Sequence, residues 1–263
     1  MSKQNKIKNT AIAIAGNSGS GKSTMSKILL DLFKPSVLLE CDRYHKWERG
    51  DDNWQFYTHL DPSANKMELM YSDLDKLINN ETILQVDYDH SIGRFTKKNE
   101  IKPQKFILVC GLHSFYYKKT NPYVLKIYMD TEEQLQVSWK LNRDKIKRGY
   151  SYKQVVEQME KRQEDYEKFI FPQKKLSDLS IRFMKCKGKK MSYSLEVEMN
   201  KEYELSFITN FFYSKGVDLE VSKGREKNIL FFKRHKNLCE TSRYDNFYDY
   251  LSLIIESLLN VKN

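Results

Sequence analysis

The chain has 263 residues, of which 40% are hydrophobic, 30% charged and 13% aromatic, a composition that suits a folded core and excludes a disordered segment. Ten glycines and five prolines exclude collagen-like or Pro/Gly low-complexity material. The formal net charge is +10, most of its excess within residues 1–185; this suits anionic ligands, and, with no recognised module beside it, nucleic acid is not expected as a partner.

Residues 1–10, MSKQNKIKNT, are basic and lead into a short apolar run. They lack the longer apolar region and small-residue cleavage site of a secretory leader. No apolar stretch approaches the roughly 18–20 residues that span a bilayer, so a cytoplasmic protein without membrane contact is expected. Thr10 to Gly16 is a short apolar run bounded by a turn, hence a buried strand. The spacing of Met25, Ile28, Leu29, Leu32 and Phe33 predicts a helix from Ser23, stopped by Pro35. Ser36 to Cys41 reads as a second strand, and Lys66 to Ile78 as a second helix.

Phe106–Cys110 and Val124–Met129 read as two more buried strands. Thr131–Lys147 and Tyr152–Phe169 read as long charged helices, and Ser177–Phe183 as a last core strand. Strands alternating with helices indicate an α/β fold with a parallel sheet flanked by helices. After about Met191 the pattern becomes period two, with Tyr193, Leu195, Val197 and Met199 alternating with polar residues. Further strand-like runs lie near Tyr203–Thr209, Val217–Val221 and Asn228–Lys233, and a helix, Asn246 to Leu259, closes the chain. The expected organisation is therefore a domain over residues 1–185 and a small antiparallel β-rich extension over 186–263 that ends in a helix. Its Tyr- and Phe-rich strands could form a sheet-edge interface between copies, which leaves a homo-oligomer open. The four cysteines, Cys41, Cys110, Cys186 and Cys239, form no CxxC or metal-like cluster and read as small buried apolar residues.

The most specific motif is GNSGSGKST: Gly16, Asn17, Ser18, Gly19, Ser20, Gly21, Lys22, Ser23 and Thr24. It matches G-x-x-x-x-G-K-[ST] in full, after a predicted strand and at the start of a predicted helix, as the chemistry requires. The glycines let backbone N–H groups turn inward around phosphate oxygens, and the helix amino terminus adds its dipole. Lys22 would reach the β/γ-phosphates and the Ser23 hydroxyl would bind Mg²⁺. The motif implies nucleoside triphosphate binding without naming the reaction. The second strand ends at Cys41-Asp42, and ligands of open α/β sheets bind beyond the carboxyl ends of strands. Asp42 is thus placed to take the proton of an attacking hydroxyl.

With these residues goes a set of further segments: DRYHKWER (from Asp42), THLDP (Thr58–Pro62), DYDH (Asp87–His90), GLH (Gly111–His113), WKLNRDKIKRGY (Trp139–Tyr150) and PQKKLSD (Pro172–Asp178). In order and spacing they resemble the phosphoribulokinase/uridine kinase family of P-loop kinases, nearer its phosphoribulokinase branch, over roughly residues 10–185. The resemblance implies ATP and Mg²⁺ as cofactors and a phosphorylated sugar as acceptor, with D-ribulose 5-phosphate the default. It implies Asp42 as catalytic base, with Lys22 catalytic beside it, and Ser23 and Asp42 on the metal. It further implies His45, Arg49, His90, Lys140, Arg143 and Arg148 as substrate-binding residues. A phosphorylated acceptor needs more cationic donors than a neutral nucleoside, in keeping with that set. Two positions depart from the family. Cys110 stands where the family carries a glutamate before Gly-Leu-His, and a neutral thiol is a poor ligand for Mg²⁺. Ser20 stands where the plant-type enzymes carry a redox cysteine, so the same disulfide switch cannot form. The alternatives are a uridine-type nucleoside kinase and, because of Cys110, a non-catalytic nucleotide binder.

Overall fold

The computed structural model describes residues 8–89, 91–117, 121–148, 151–185, 193–200, 205–214, 219–224, 226–232, 251–252 and 254–255. The elements run β1 (Thr10–Gly16), α1 (Lys22–Leu32), β2 (Ser36–Glu40), α2 (Met67–Ile78), β3 (Ile83–Asp89), β4 (Arg94–Ile101), β5 (Phe106–Cys110), β6 (Tyr123–Thr131), α3 (Glu133–Arg148), α4 (Tyr152–Lys161), α5 (Gln163–Asp165), β7 (Leu179–Lys185), β8 (Tyr193–Asn200), α6 (Leu205–Ser214), β9 (Leu219–Lys223) and β10 (Lys227–Phe232). One eight-stranded sheet has the order β2-β5-β1-β6-β7-β8-β10-β9. Its first five strands are parallel and its last three are added antiparallel. This is the mixed α/β architecture the sequence pattern implies. The antiparallel strands continue the parallel sheet without a break in pairing, because β8 lies on β7 from Leu179↔Met199 to Lys185↔Tyr193.

Strand β1 is the hub, and its alternation divides the core in two. Ile12 and Ile14 face α1 together with Met25, Leu29, Leu108 and Cys110. Ala11, Ala13 and Ala15 face α2, where their small side chains leave room for Tyr71, Tyr123 and Tyr128. The α1-side cluster extends through Ile181 and Phe183 of β7 to Val197, Leu230 and Leu251. Of the expected closing helix, residues 251–252 and 254–255 are helical, and the rest lies outside the described residues.

Three expectations need correction. The run near Tyr203–Thr209 forms part of helix α6, not a strand. The place beside β8 is taken by β10, and the segment instead buries Ile208 in the core. The long helix from Tyr152 breaks after α4 into α5, a π-helical turn (Tyr166–Ile170) and a 3₁₀ segment (Phe171–Leu176). The wider turn seats Ile170 against Leu60 and Leu112. A β3–β4 hairpin, unassigned in the sequence, stands apart from the main sheet. Strand β4 has no fully buried position, so it carries no period-two apolar signal.

Candidate active site

The phosphate loop spans the gap between β1 and α1. Gly16, Gly19 and Gly21 all have positive φ, at 144°, 85° and 90°. At Gly16 a Cβ would stand 2.1 Å from the Met129 carbonyl oxygen, so the chain passes too close to β6 for any side chain. Gly21 caps α1 in the left-handed conformation, and no acidic side chain occupies the first turn. The helix amino terminus therefore presents its N–H groups and positive dipole end to an anion. Lys22 Nζ donates to the Asn17 carbonyl at 2.7 Å, which holds the ammonium over the loop. Burial lowers the Lys22 pKa below the ordinary lysine value, while Cys110 and Asp42 pull the other way. Ser20 is buried within the loop; Ser23 and Thr24 are exposed on the first turn of α1.

Helix α3 roofs this loop. Gln136 Nε2 donates to the Ser18 carbonyl at 2.8 Å, and Arg143 Nη2 donates to Ser18 Oγ at 3.4 Å. Lys140 is only 3% exposed, and its Cβ lies 3.5 Å from the Cβ position of Gly19. Lys140 and Arg143 are thus brought to the phosphate loop. Arg148 ends α3, with its side chain outside the described residues, and His90 lies outside them altogether.

Beyond β2 the chain turns in a 3₁₀ helix, Cys41–Tyr44, which carries Asp42 to the rim of the sheet. Two buried pairs fix that turn. The Tyr44 hydroxyl donates to Asp73 of α2 at 2.8 Å. His45 Nδ1 lies 2.7 Å from Asn65 Oδ1. The Asn65 amide nitrogen donates to the Asp61 carbonyl, so its oxygen faces His45, whose Nδ1 carries the hydrogen. Cys41 packs on Gly111, where a Cβ would meet it at 2.3 Å, and sits 3.5 Å from Ser114 Oγ.

A cleft of about 310 Å³ is lined by Ser18, Asp42, His45, Arg49, Lys161 and Arg162. Trp54, Tyr57, His59 and Tyr88 line its sides. Asp42, His45 and Arg49 therefore share one cavity with the phosphate loop. Arg49 is held against the hairpin turn: its N–H donates to the Gly93 carbonyl at 2.8 Å and Nη1 to the Ser91 carbonyl at 3.1 Å. Sequence reasoning missed Lys161, Arg162 and the aromatic walls. In KRQED a charged helix reads as solvated surface. Lys161 and Arg162 at the end of α4 nevertheless line the cleft, and just beyond them the Thr58 hydroxyl donates to Asp165 at 2.6 Å.

Two further groups mark the carboxyl edge of the sheet. Cys110 is buried beside Lys22 and Asp42, and burial pushes its thiol up to about 12, so it is uncharged at neutral pH. His113 donates Nε2–H to the Leu60 carbonyl at 2.8 Å, and burial lowers its pKa to about 4; it is a neutral prop beneath the cleft. A nucleotide-borne Mg²⁺ needs only one or two protein oxygens, since phosphates and waters fill its other positions. Ser23 and Asp42 are hard oxygen donors of that kind, and Cys110 adds none.

A family model described as "Phosphoribulokinase / Uridine kinase family" matches residues 11–189. The phosphoribulokinase of Synechocystis sp. is 32% identical over 176 residues, covering 66% of this chain and 53% of its own length. The chloroplastic phosphoribulokinase of Arabidopsis thaliana is 30% identical over 193 residues, covering 66% and 49%. The chain thus spans about half the length of the phosphoribulokinases it matches. The uridine kinase of Borrelia duttonii is 33% identical over 177 residues, covering 65% of this chain and 84% of its own. Among solved structures, a phosphoribulokinase from Rhodobacter spheroides superposes with a TM-score of 0.66 at 16% identity, over 97% of this chain and 99% of that one, a likeness of fold.

Proposed function

The chain belongs to the phosphoribulokinase/uridine kinase family, and from that premise we propose that it is an ATP-dependent kinase that phosphorylates a hydroxyl of a phosphorylated sugar, with D-ribulose 5-phosphate the first candidate. The observation that carries this reading is the cleft: three cations, Arg49, Lys161 and Arg162, line the same space as Asp42. An acceptor phosphate would add charge-assisted hydrogen bonds to such a group of cations, and a neutral nucleoside would not.

In this reading the phosphate loop N–H groups and Lys22 hold the β- and γ-phosphates, and Arg143, above Ser18, screens the transferring group. Phosphoryl transfer has a loose transition state, so positioning and charge neutralisation supply most of the acceleration. Mg²⁺ bound with ATP contributes further positive charge at the phosphates. Asp42 accepts the proton of the acceptor hydroxyl. His45, its tautomer fixed by Asn65, orients the sugar beside it.

A uridine-type reading has one observation in its favour, the aromatic walls Trp54, Tyr57 and Tyr88, on which a base could stack. Arg162→Gln separates the two. Losing a charged phosphate contact is worth roughly 1.5–3 kcal/mol. The variant is expected to raise the KM for a phosphorylated acceptor at least tenfold with the KM for ATP unchanged. Equal impairment on a phosphorylated sugar and on its unphosphorylated form would overturn the assignment of Arg162.

A further inference from the structure

The carboxylate missing at Cys110 has a neighbour that can stand in for it. In the parallel pairing of β2 with β5, Glu40 is the register partner of Cys110. Side chains at alternate positions share a face, and Leu38 packs in the same cluster as Leu108, Cys110 and the α1 residues Met25 and Leu29. Glu40, two residues beyond Leu38, therefore projects from the α1 face. That is the face on which the Lys22 ammonium and the Cys110 thiol lie close enough to perturb one another.

Glu40 is also held in a specific way. Arg43 donates to Glu40 Oε2 from Nε at 2.8 Å and from Nη2 at 2.6 Å. Arg43 is anchored in turn by Asp87 at 3.2 Å. Both contacts fall on one oxygen, and Oε1 accepts no hydrogen bond among the described residues. The side chain is 42% exposed, so Oε1 is open to water at the carboxyl edge of the sheet.

We propose that Glu40 performs the duty vacated at Cys110: its open oxygen binds water ligands of the nucleotide-borne divalent cation, while its other oxygen stays paired with Arg43. The carboxylate has in effect moved one strand sideways, from β5 to β2, and remains on the phosphate-loop face. This is an outer-shell role. Such partners typically change metal affinity 10–100-fold when removed. The inference rests on the kinase reading above and is tested apart from turnover.

The probe is Mn²⁺, titrated by electron paramagnetic resonance against the protein saturated with a non-hydrolysable ATP analogue. Wild type is expected to bind Mn²⁺ more tightly than the analogue alone does. Glu40→Gln is expected to weaken that binding about tenfold or more, with metal-free analogue affinity within about threefold. Two variants exclude a merely structural effect. Arg43→Gln breaks the same ion pair but keeps the carboxylate, and is expected to retain most of the metal affinity. Glu40→Gln combined with Cys110→Glu restores a carboxylate on the next strand, and is expected to recover it. Unchanged Mn²⁺ affinity in Glu40→Gln overturns the proposal. So does an equal loss in Arg43→Gln, or a loss that Cys110→Glu leaves unrepaired. Wild type that gains no metal affinity with the analogue bound would overturn the kinase reading, and Glu40's role with it.

Discussion

At the scale of single residues, the site depends on charges held a few ångströms apart under different burial. Asp42 lines the cleft and is the one carboxylate among its described lining residues. Asp42→Asn keeps its shape but cannot take a proton. It is expected to lower kcat by about 10²–10⁴ while leaving ATP affinity within a few-fold, as measured by steady-state kinetics and calorimetric titration. Wild-type kcat in that variant would remove Asp42 from the base role. His113 makes a second prediction through its burial. The unfolded chain binds a proton near the ordinary histidine pKa of 6.5, but the folded chain resists until about 4. The unfolded state therefore gains protons first as pH falls, and stability is full above pH 6.5 and declines toward pH 4, by on the order of 3 kcal/mol in all. His113→Gln can still donate to Leu60 but does not titrate. Urea unfolding of the two proteins should converge at low pH; parallel pH profiles would show that His113 titrates normally in the fold.

At the scale of elements, close approach of backbone to backbone shapes the phosphate loop. Gly16 is the critical point, with φ of 144° and a Met129 carbonyl at 2.1 Å from any Cβ. Gly16→Ala must separate β1 from β6 or distort the loop. It is expected to cost more than about 2 kcal/mol of stability together with nucleotide affinity, read from thermal melts with and without ATP. A variant as stable as wild type would mean that the loop tolerates a side chain there. The elements also show what the amino-acid pattern could convey. The phosphate loop was legible because its chemistry requires consecutive residues. Asp42 was legible because it follows the second strand, whereas His45 and Arg49 on the same loop were reached through the family resemblance. Arg162 was not legible, since within KRQED it reads as one more charge of a solvated helix, and only the folded chain places it at the cleft. Nor was the β3–β4 hairpin, whose second strand is mostly exposed. Helix α6 was misread because aromatic and β-branched residues favour a strand locally, and only the neighbour β10 removes that choice.

At the scale of the whole molecule, one hydrophobic cluster runs from α1 through β7 to β8, β10 and Leu251, Ile254 and Ile255. The antiparallel strands share it with the parallel ones, although their composition marks them as an extension beginning near residue 186. Unfolding is therefore expected as one calorimetric transition, and removal of residues 186–263 should expose Ile181 and Phe183 of β7 and cause aggregation. Two separate transitions would make the extension an independent unit. The same sheet sets the direction of the chemistry. Strand ends, phosphate loop and Asp42 lie along one edge, and the function proposed above would put the acceptor phosphate at Arg49 and Arg162, which line the same cleft. The most direct measurement is turnover of purified protein with ATP and Mg²⁺ on D-ribulose 5-phosphate, other sugar phosphates, D-ribulose and uridine. Transfer to a phosphorylated sugar, at least tenfold more efficient in kcat/KM than to its unphosphorylated counterpart, is the expected result. Turnover of uridine with none of any sugar phosphate would contradict it.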